Sequence, residues 1–402
     1  MRPIRGTIPL EEARALLLDA AQPIARVETV PLEAAHQRVL AHRIVADQDV
    51  PPFSRAAMDG YAVIAEDTFG AGPFDPKVLR VVEKVYTGQM PTLGVARGGC
   101  AEIATGAPMP AGADAVVMVE KTEKDDDGQV RVFSPVYPGQ NVGRQGADIR
   151  TGQALFSAGV YLTPSRVGAI AALGFDRVKV FARPRVAIVS TGNEIVSPGQ
   201  PLAPGQIYDI NRFTLGAIIA EHGAVPVPHP TSADTLADLN RALDVALVED
   251  LVIFSGGSSV GERDLILDAI AARGEVVFHG IAVKPGKPTL FGLVDGKPVL
   301  GMPGYPTSCL SNGYMLVVPL LRRLARLPEV APRSIVLPLG QRVVSTTGRH
   351  QFYTVRVEDG TAMPAFKASG DITSMSQADG YIEIPAQTDI VEKGQMVEVI
   401  LF

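Results

Sequence analysis

Two lysines lie close together on a turn that neighbouring prolines should stiffen. Lys284 and Lys287 occur in the sequence VKPGKP, beside Pro285 and Pro288. Because proline restricts the backbone before a ligand arrives, such a turn loses little entropy when it binds a small, strongly charged oxyanion. The alternative is a pair of solvated turn lysines. A nucleotide P-loop is excluded, since five residues separate the glycines of GIAVKPGK and a proline replaces the required Ser or Thr.

A second turn with chemical potential follows the apolar strand pattern in LVIFSGGSSVGERD, residues 251–264. Its small residues leave backbone N–H groups open to a phosphate, and the predicted contacts are Gly256, Gly257, Ser258 and Ser259. A glycine turn without a ligand is one alternative. Another is a hydrolase nucleophile elbow, because G-x-S-x-G places Ser259 between a strand and a helix, with His279 or His350 as its base.

Further polar residues lie at the ends of predicted strands and helices. In GMPGYPTS, Thr307 and Ser308 fall at a helix start, where free backbone N–H groups gather. Five carboxylates adjoin glycines or strand ends: Asp59, Asp148, Glu194, Asp209 and Asp264. Each carboxylate alone is typical of a helix cap or a solvated turn. Alongside phosphate-binding turns they indicate Mg²⁺, which prefers a few carboxylates plus substrate oxygens.

Alternating strands and helices position these turns. From VAIVS at 186–190 to a last helix near 306–324, apolar strand patterns alternate with helical ones and predict a parallel α/β domain. Ligands of such sheets bind at the carboxyl ends of the strands, where the turns above fall. Short β-branched runs broken by Gly and Pro predict a β-rich domain over about 45–150 and a small β domain over 334–402.

Helical spacing elsewhere predicts helices over 10–21, 32–40 and 162–173. The acid cluster KDDDG at 124–128 lies between two strand patterns and ends in Asp-Gly, which favours a hairpin turn over a metal site.

Composition excludes several classes of protein. A chain of 402 residues should divide into about two to four domains. With 37 Lys and Arg against 43 Asp and Glu, the net charge of −6 provides no general field for nucleic acid or anionic lipid. No apolar stretch reaches the roughly 20 residues of a membrane span, and the first residues lack a signal-peptide pattern, so we expect a soluble, cytoplasmic protein. Its two cysteines, Cys100 and Cys309, exclude a disulfide framework and are expected to be small buried residues.

Taken together, the motifs resemble the molybdopterin molybdenumtransferase family, whose eukaryotic relatives include the gephyrin E domain. The resemblance runs from about residue 7 to the C-terminus and is carried by PPFSRAAMDGYAV, ATGAPMPAGADAVVMVE, STGNEIVSPGQ, IYDINR, SGGSSVGERD, VKPGKP and GMPGYPTS. It implies an elongated homodimer with four domains per chain. These would be a domain of 22–44 with 151–181, a β-rich insertion of 45–150, a three-layer molybdopterin-binding α/β domain of 7–21 with 182–331, and a β-barrel-like domain of 332–402.

The resemblance also implies a reaction, in which adenylylated molybdopterin and molybdate yield the molybdenum cofactor and AMP with the help of Mg²⁺. Lys284, Lys287 and Ser308 match the family's molybdate-contacting motif, and Arg349 and Ser369 match it more loosely. Asp264 matches a metal-linked acid, while Glu194 and Asp209 match acids of the cleft. The insertion residues Asp59, Thr105 and Asp148 match polar positions that approach the partner subunit's cleft in family dimers.

Three positions depart from the family pattern. Ser258 stands where valine is common, and Tyr305 replaces the asparagine of PGNP. Thr231 stands where a second metal-linked aspartate is expected, so either Asp234 supplies the missing ligand or water does.

The resemblance leaves alternatives open. One is a molybdopterin adenylyltransferase-like activity on the same α/β fold, and another is a non-catalytic, gephyrin-like scaffold. Molybdate and tungstate are both tetrahedral dianions, so either is a possible substrate. Transient contacts with the adenylyltransferase and with molybdoenzymes are expected.

Overall fold

The computed structural model describes residues 6–256, 264–329 and 331–402. They form two compact units, one built from the described parts of Met1–Thr29, Gln37–Val39 and Lys179–Phe402, the other from Val30–His36 and Leu40–Val178. The first unit holds an α/β domain and a C-terminal β domain, and the second is mainly β, as the sequence predicts.

A six-stranded sheet forms the middle layer of the α/β domain. Its strands lie in the order Val225–Pro228, Arg185–Ser190, Leu251–Ser255, Lys297–Met302, Leu290–Val294 and Gly274–His279. The first four are parallel, and the last two run antiparallel to their neighbours. Arg185–Ser190 comes first along the chain. The next strand, Val225–Pro228, pairs on one side of it, and the one after, Leu251–Ser255, pairs on the other. The topological switch point therefore lies beside Ser190 and its register partner Ser255, where ligands of open α/β sheets bind.

Helices cover both faces of this sheet. One face packs against Leu10–Ala20, Asn211–Glu221 and a continuous helical segment made of Pro306–Asn312, the π-helical Gly313–Val317 and Val318–Leu324. The other face packs against Leu236–Ala246 and Leu265–Arg273. Successive residues of one strand alternate between the two cores, Val186 and Ile188 in one and Ala187 and Val189 in the other. The result is the expected three-layer domain.

The C-terminal domain is built on a second sheet. Its strands lie in the order Val283–Lys284, His350–Glu358, Gly380–Ile384, Met396–Leu401 and Ser334–Pro338, with Thr361–Pro364 paired to the second of them. In this domain Val343–Val344 also pairs with Ile390–Val391, and a short helix spans Thr373–Ser376. In the α/β domain, Ile195–Val196 pairs with Ile207–Tyr208. The Val283–Lys284 strand comes from the α/β part of the sequence, so the first lysine of the oxyanion turn lies in the C-terminal sheet.

The second unit contains another six-stranded sheet, in the order Ala115–Met118, Gly60–Val63, Gly99–Ile103, Lys77–Val85, Gln129–Val132 and Thr122–Lys124. Two hydrophobic cores accompany it. Its remaining elements are the pairs Arg55–Ala56 with Val142–Gly143 and Ile44–Val45 with Ala154–Phe156, the helix Pro164–Ala172, and 3₁₀ turns at Leu32–Ala34, Ala65–Thr68 and Val119–Lys121. A further two-stranded pair is formed by Val27–Pro31 and Arg177–Phe181.

The predicted hairpin turn in the acid cluster is confirmed. Thr122–Lys124 and Gln129–Val132 pair antiparallel, and Asp125 Oδ1 accepts hydrogen bonds from the backbone N–H groups of Asp127 and Gln129 at 3.1 and 2.8 Å. This carboxylate therefore shapes the turn.

The predicted helix over 32–40 is wrong. Only Leu32–Ala34 form a 3₁₀ turn, and Gln37 adopts a left-handed conformation with φ of 61°. The Leu40 N–H then donates to the carbonyl of Val160 at 2.9 Å. Long-range pairing thus replaces the helical hydrogen bonds that the local spacing favours.

Both cysteines are buried, as expected, and burial raises the pKa of Cys100 and of Cys309 to about 12. At neutral pH they are therefore inert thiols. Among the described residues, no helix is both long and apolar enough to cross a membrane.

The Leu236–Ala246 helix provides a matched test of this packing. Leu239 is 1 % exposed in the core, whereas Leu236 on the same helix is 41 % exposed. We expect Leu239→Ala to lower the free energy of unfolding by about 2–5 kcal/mol, because it leaves a cavity. Leu236→Ala should cost less than about 1 kcal/mol. Denaturant unfolding of both variants measures the difference, and equal losses would contradict the assigned core.

Candidate functional site

A buried asparagine joins the loops at the switch point. Asn211, at the start of Asn211–Glu221, donates from Nδ2 to Ser255 Oγ and to the Gly304 carbonyl, both at 2.8 Å. The loops after two strands meet there, since a Cβ on Gly304 would lie 3.5 Å from the Cα of Gly256. One side chain therefore joins the loops at 255–256 and Gly304, at the carboxyl ends of the strands. We call this place the mouth of the sheet.

Two buried polar atoms at this mouth have no hydrogen-bond partner within the described residues. They are Oγ1 of Thr191 and Oδ1 of Asn211, on side chains that are largely enclosed. Gly256 lies against the same place with φ of +102°, and a Cβ there would come within 2.6 Å of the Thr191 carbonyl oxygen. Because an unpaired buried polar atom is costly, these atoms mark a place where a polar ligand would gain hydrogen bonds.

Asp209 also lies at the mouth, but its carboxylate is already bonded. Oδ2 accepts from Ser190 Oγ at 2.5 Å, and Oδ1 accepts from the Arg212 backbone N–H at 3.1 Å. Asp209 is buried, so these bonds tie the strand end to the helix start. In this structure its carboxylate shapes the mouth.

Glu194 and Asp234 form an acidic pair beside Thr191. Both are exposed, and the Glu194 carboxylate folds back so that a Cβ on Gly192 would lie 2.7 Å from its oxygens. Partial burial and the nearby charge of Glu194 raise the pKa of Asp234. The two side chains therefore place two acidic groups close together at this edge.

Asp264 is the N-cap of Leu265–Arg273. Its Oδ1 accepts from the Leu267 backbone N–H at 3.1 Å, and its Oδ2 accepts from His279 Nε2 at 3.1 Å. As far as the described residues show, one lone pair on each oxygen remains for a further ligand. The predicted phosphate-binding residues Gly257, Ser258 and Ser259, the last of which is also the proposed elbow serine, lie outside the described residues.

The carboxylates fit one mode of magnesium binding only. No three His, Cys, Asp or Glu side chains come together as a metal site anywhere in residues 6–256, 264–329 and 331–402. A cage made of protein ligands alone is therefore not formed by these residues. Mg²⁺ commonly binds through one or two carboxylates plus substrate phosphates, and Asp264 or the Glu194–Asp234 pair fits that mode.

The lysine turn is docked onto the helix that carries Ser308. Asn312, one turn further along, donates from Nδ2 to the Gly286 carbonyl at 2.8 Å and to Thr289 Oγ1 at 2.6 Å. A Cβ on Gly286 would lie 2.4 Å from the Asn312 amide, and its φ is +105°. Only glycine fits this close approach. The turn bearing Lys287 is thereby held against the segment of Ser308.

Loops of the C-terminal domain complete this region. Lys284 Nζ donates to Thr346 Oγ1 at 2.7 Å, and the Arg349 N–H closes a turn on the Thr346 carbonyl at 3.3 Å. The Thr307 N–H donates to the Ser369 carbonyl at 3.1 Å. The structure therefore brings together the segments of the predicted oxyanion residues, which are Lys284, Lys287, Ser308, Arg349 and Ser369.

The remaining predicted residues belong to the second unit. Asp59 Oδ1 accepts from the Thr105 backbone N–H at 2.7 Å, so these two residues are neighbours. Asp148 is exposed on another turn, where its N–H donates to the Val50 carbonyl at 3.0 Å.

Sequence reasoning did not select four residues that the structure places in these sites: Thr191, Asn211, Thr346 and, as the partner of Asp264, His279. The first two lie inside the quoted motifs STGN and INR, beside residues that were selected. The last two contact residues far away in the chain, which no local pattern shows.

Three family descriptions match successive parts of the chain. "MoeA N-terminal region (domain I and II)" matches residues 8–174, "Probable molybdopterin binding domain" matches 187–323, and "MoeA C-terminal region (domain IV)" matches 336–402. Together they cover most of its length.

Curated relatives and solved structures agree. Molybdopterin molybdenumtransferase 2 of Mycobacterium tuberculosis is 36% identical over 395 residues, covering 95% of this chain and 96% of the relative. The molybdopterin molybdenumtransferase of a Nostoc species is 32% identical over 385 residues, covering 93% and 88%. A crystal structure of a MoeA molybdopterin biosynthesis protein from Pyrococcus horikoshii has a TM-score of 0.85 and 42% identity, covering 98% and 99%. The chain therefore belongs to the MoeA family, whose matched curated members include transferases named molybdopterin molybdenumtransferase.

Proposed function

We propose that this protein inserts molybdate into adenylylated molybdopterin and releases AMP, forming the molybdenum cofactor. The observation that carries the proposal is the assembly of the lysine turn, the Ser308 helix and the Thr346–Arg349 turn within one unit. Such a cluster of cations and hydroxyls suits a tetrahedral dianion. Tungstate has the same charge and shape and is an equal candidate by this argument.

We assign the two substrates to two places, the oxyanion to the lysine turn and the phosphate-bearing substrate to the mouth of the sheet. Lys284, Lys287 and Arg349 supply positive charge to the oxyanion, and Ser308 and Ser369 supply neutral hydrogen bonds. The mouth of the sheet binds the phosphate-bearing substrate, where Thr191 and Asn211 offer their free polar atoms and Gly256 allows a close backbone approach. The phosphate-binding role of Gly257, Ser258 and Ser259 remains part of the proposal.

Magnesium would be held at the acidic edge of the mouth. Asp264 and Asp234 are its proposed ligands, and Glu194 lies near Asp234. When bound, Mg²⁺ would neutralise charge on the phosphate that leaves with AMP. Asp209 keeps the mouth in shape through Ser190 and Arg212.

The proposal extends to assembly and location. We propose a cytoplasmic homodimer in which Asp59, Thr105 and Asp148 of one subunit act at the partner subunit's cleft. Transient contacts with the adenylyltransferase that supplies the substrate and with molybdoenzymes that receive the product complete the proposed set of partners.

Lys284→Ala tests the oxyanion site. We expect molybdate affinity to fall more than about tenfold, since a charge-assisted contact is worth about 1.5–3 kcal/mol. The matched control is Lys393→Ala, which removes an exposed turn lysine from the C-terminal domain. Isothermal titration with molybdate measures both variants, and an unchanged affinity in Lys284→Ala would refute the assignment.

Asp264→Asn tests the metal role while keeping the helix cap, because asparagine also caps helices well. We expect Mg²⁺-dependent AMP release to be nearly abolished while adenylylated molybdopterin still binds. Asp234→Asn should cost nearly as much if Asp234 replaces the family ligand missing at Thr231, and much less if water does. Asp295→Asn, in an exposed turn, is the control. Full AMP release by Asp264→Asn would disprove the site.

Mixed dimers test the shared cleft. If Asp59 acts at the partner's cleft, Asp59→Asn and Lys284→Ala homodimers should each be inactive. A mixture that has exchanged subunits should then regain one intact site per mixed dimer. AMP release before and after exchange gives the answer. No recovery despite proven exchange would mean that each cleft is built from one chain.

A further inference from the structure

Thr346 makes the one side-chain contact that the structure describes for the Lys284 ammonium group, with Nζ and Oγ1 2.7 Å apart. We infer that Thr346 is a positioning residue for the oxyanion site, where its hydroxyl holds Lys284 in the orientation that receives the dianion. This inference rests on the proposed function and adds to it a residue outside the five predicted oxyanion contacts.

The backbone of Lys284 is fixed before its side chain begins. Val283 and Lys284 pair in parallel with His350 and Gln351 of the C-terminal sheet, and the His350 N–H donates to the Ala282 carbonyl at 2.8 Å. With Thr346 holding its tip, the lysine side chain is held at both ends. An ordered lysine loses less conformational entropy on binding than a free one.

Thr346 is itself held firmly. The Ser345 N–H donates to the Asp389 carbonyl at 2.8 Å, and the Gly348 N–H donates to the Ala386 carbonyl at 2.8 Å. Ser345 Oγ donates to Gln351 Oε1 at 3.0 Å. The turn that carries Thr346 is thus fixed on both sides, which makes its hydroxyl a stationary acceptor.

A neutral acceptor is the suitable partner for this lysine. The ammonium group has three N–H donors, and the bond to Thr346 uses one of them, leaving two for an anion. A carboxylate in the same place would neutralise the charge and compete with the oxyanion. Arg349 follows three residues later on the same turn, so one turn sets the positions of two of the proposed cations.

The next residue provides a matched control. Thr347 is exposed, and its hydroxyl donates to Asp389 Oδ1 at 2.5 Å instead of meeting the lysine. Thr346→Val and Thr347→Val remove the same hydroxyl from neighbouring positions. Thr346→Ser retains the acceptor and removes only a methyl group.

The experiment titrates molybdate into the full chain by calorimetry, for the wild type, Lys284→Ala and these three variants. We expect Thr346→Val to weaken molybdate binding about three- to tenfold, the loss of one net hydrogen bond. Thr346→Ser and Thr347→Val should remain within about twofold of the wild type. Thermal midpoints should be alike in all variants. If Thr346→Val does not fold, Thr346→Ala takes its place with the same expectation.

The outcomes separate this inference from the proposed function. If the wild type does not bind molybdate, or binds it equally well after Lys284→Ala, the proposed function fails. If Lys284→Ala loses binding but Thr346→Val behaves like Thr347→Val, the positioning role is overturned and the oxyanion site stands. Thr346→Ser as weak as Thr346→Val would also overturn it, because the hydroxyl would not be what matters.

Discussion

The parallel pairing of Val283 and Lys284 with His350 and Gln351 of the C-terminal domain is the constraint on which the rest of the oxyanion region depends. This short parallel pairing carries a turn of the α/β domain into the sheet of the next domain. As a result, the Lys284 side chain reaches Thr346, whose carbonyl accepts from the Arg349 N–H. Segments distant in sequence that carry Lys284 and Arg349 therefore adjoin.

Buried amides perform the same joining role elsewhere. Asn312 fastens the lysine turn to the helix that carries Ser308, and Asn211 fastens two strand-end loops at the switch point. Each amide lies beside a glycine, Gly286 or Gly256, whose conformation and surroundings exclude a side chain. Close backbone approach and a bonded amide together give each loop one position, which a site for a small anion needs.

The sequence predicts those strands and turns whose conformation is set by residues adjacent in the chain. The apolar runs around Val186 and Leu251 predict buried strands, and the glycine-rich ends of these strands predict the ligand-binding edge. The lysine turn is visible because prolines and cations are adjacent in the chain. The same kind of pattern fails at 32–40, where the long-range bond from Leu40 to Val160 replaces the helix.

The parts that sequence alone does not show depend on distant contacts. Nothing in the sequence around Thr346 marks it, but the fold places its Oγ1 2.7 Å from Nζ of Lys284, 62 positions earlier. His279, the last residue of the edge strand Gly274–His279, contacts the Asp264 carboxylate. Asn211 donates a hydrogen bond to Ser255 at the switch point. Asp209 shows the reverse case, since an acid that matches the family's cleft acids accepts hydrogen bonds on both oxygens from within the chain.

The most direct test of the central claim is one reaction with the wild-type chain. Adenylylated molybdopterin, Mg²⁺ and molybdate are supplied together, and AMP and molybdenum cofactor are measured over time, with a parallel reaction containing tungstate. Our account predicts that AMP is released in step with cofactor formation and that release requires an oxyanion. In a companion reaction that supplies molybdopterin and ATP, formation of adenylylated molybdopterin and pyrophosphate, with no metal insertion in the first reaction, would identify an adenylyltransferase instead. No turnover of either substrate by the folded protein would identify a scaffold and contradict the account.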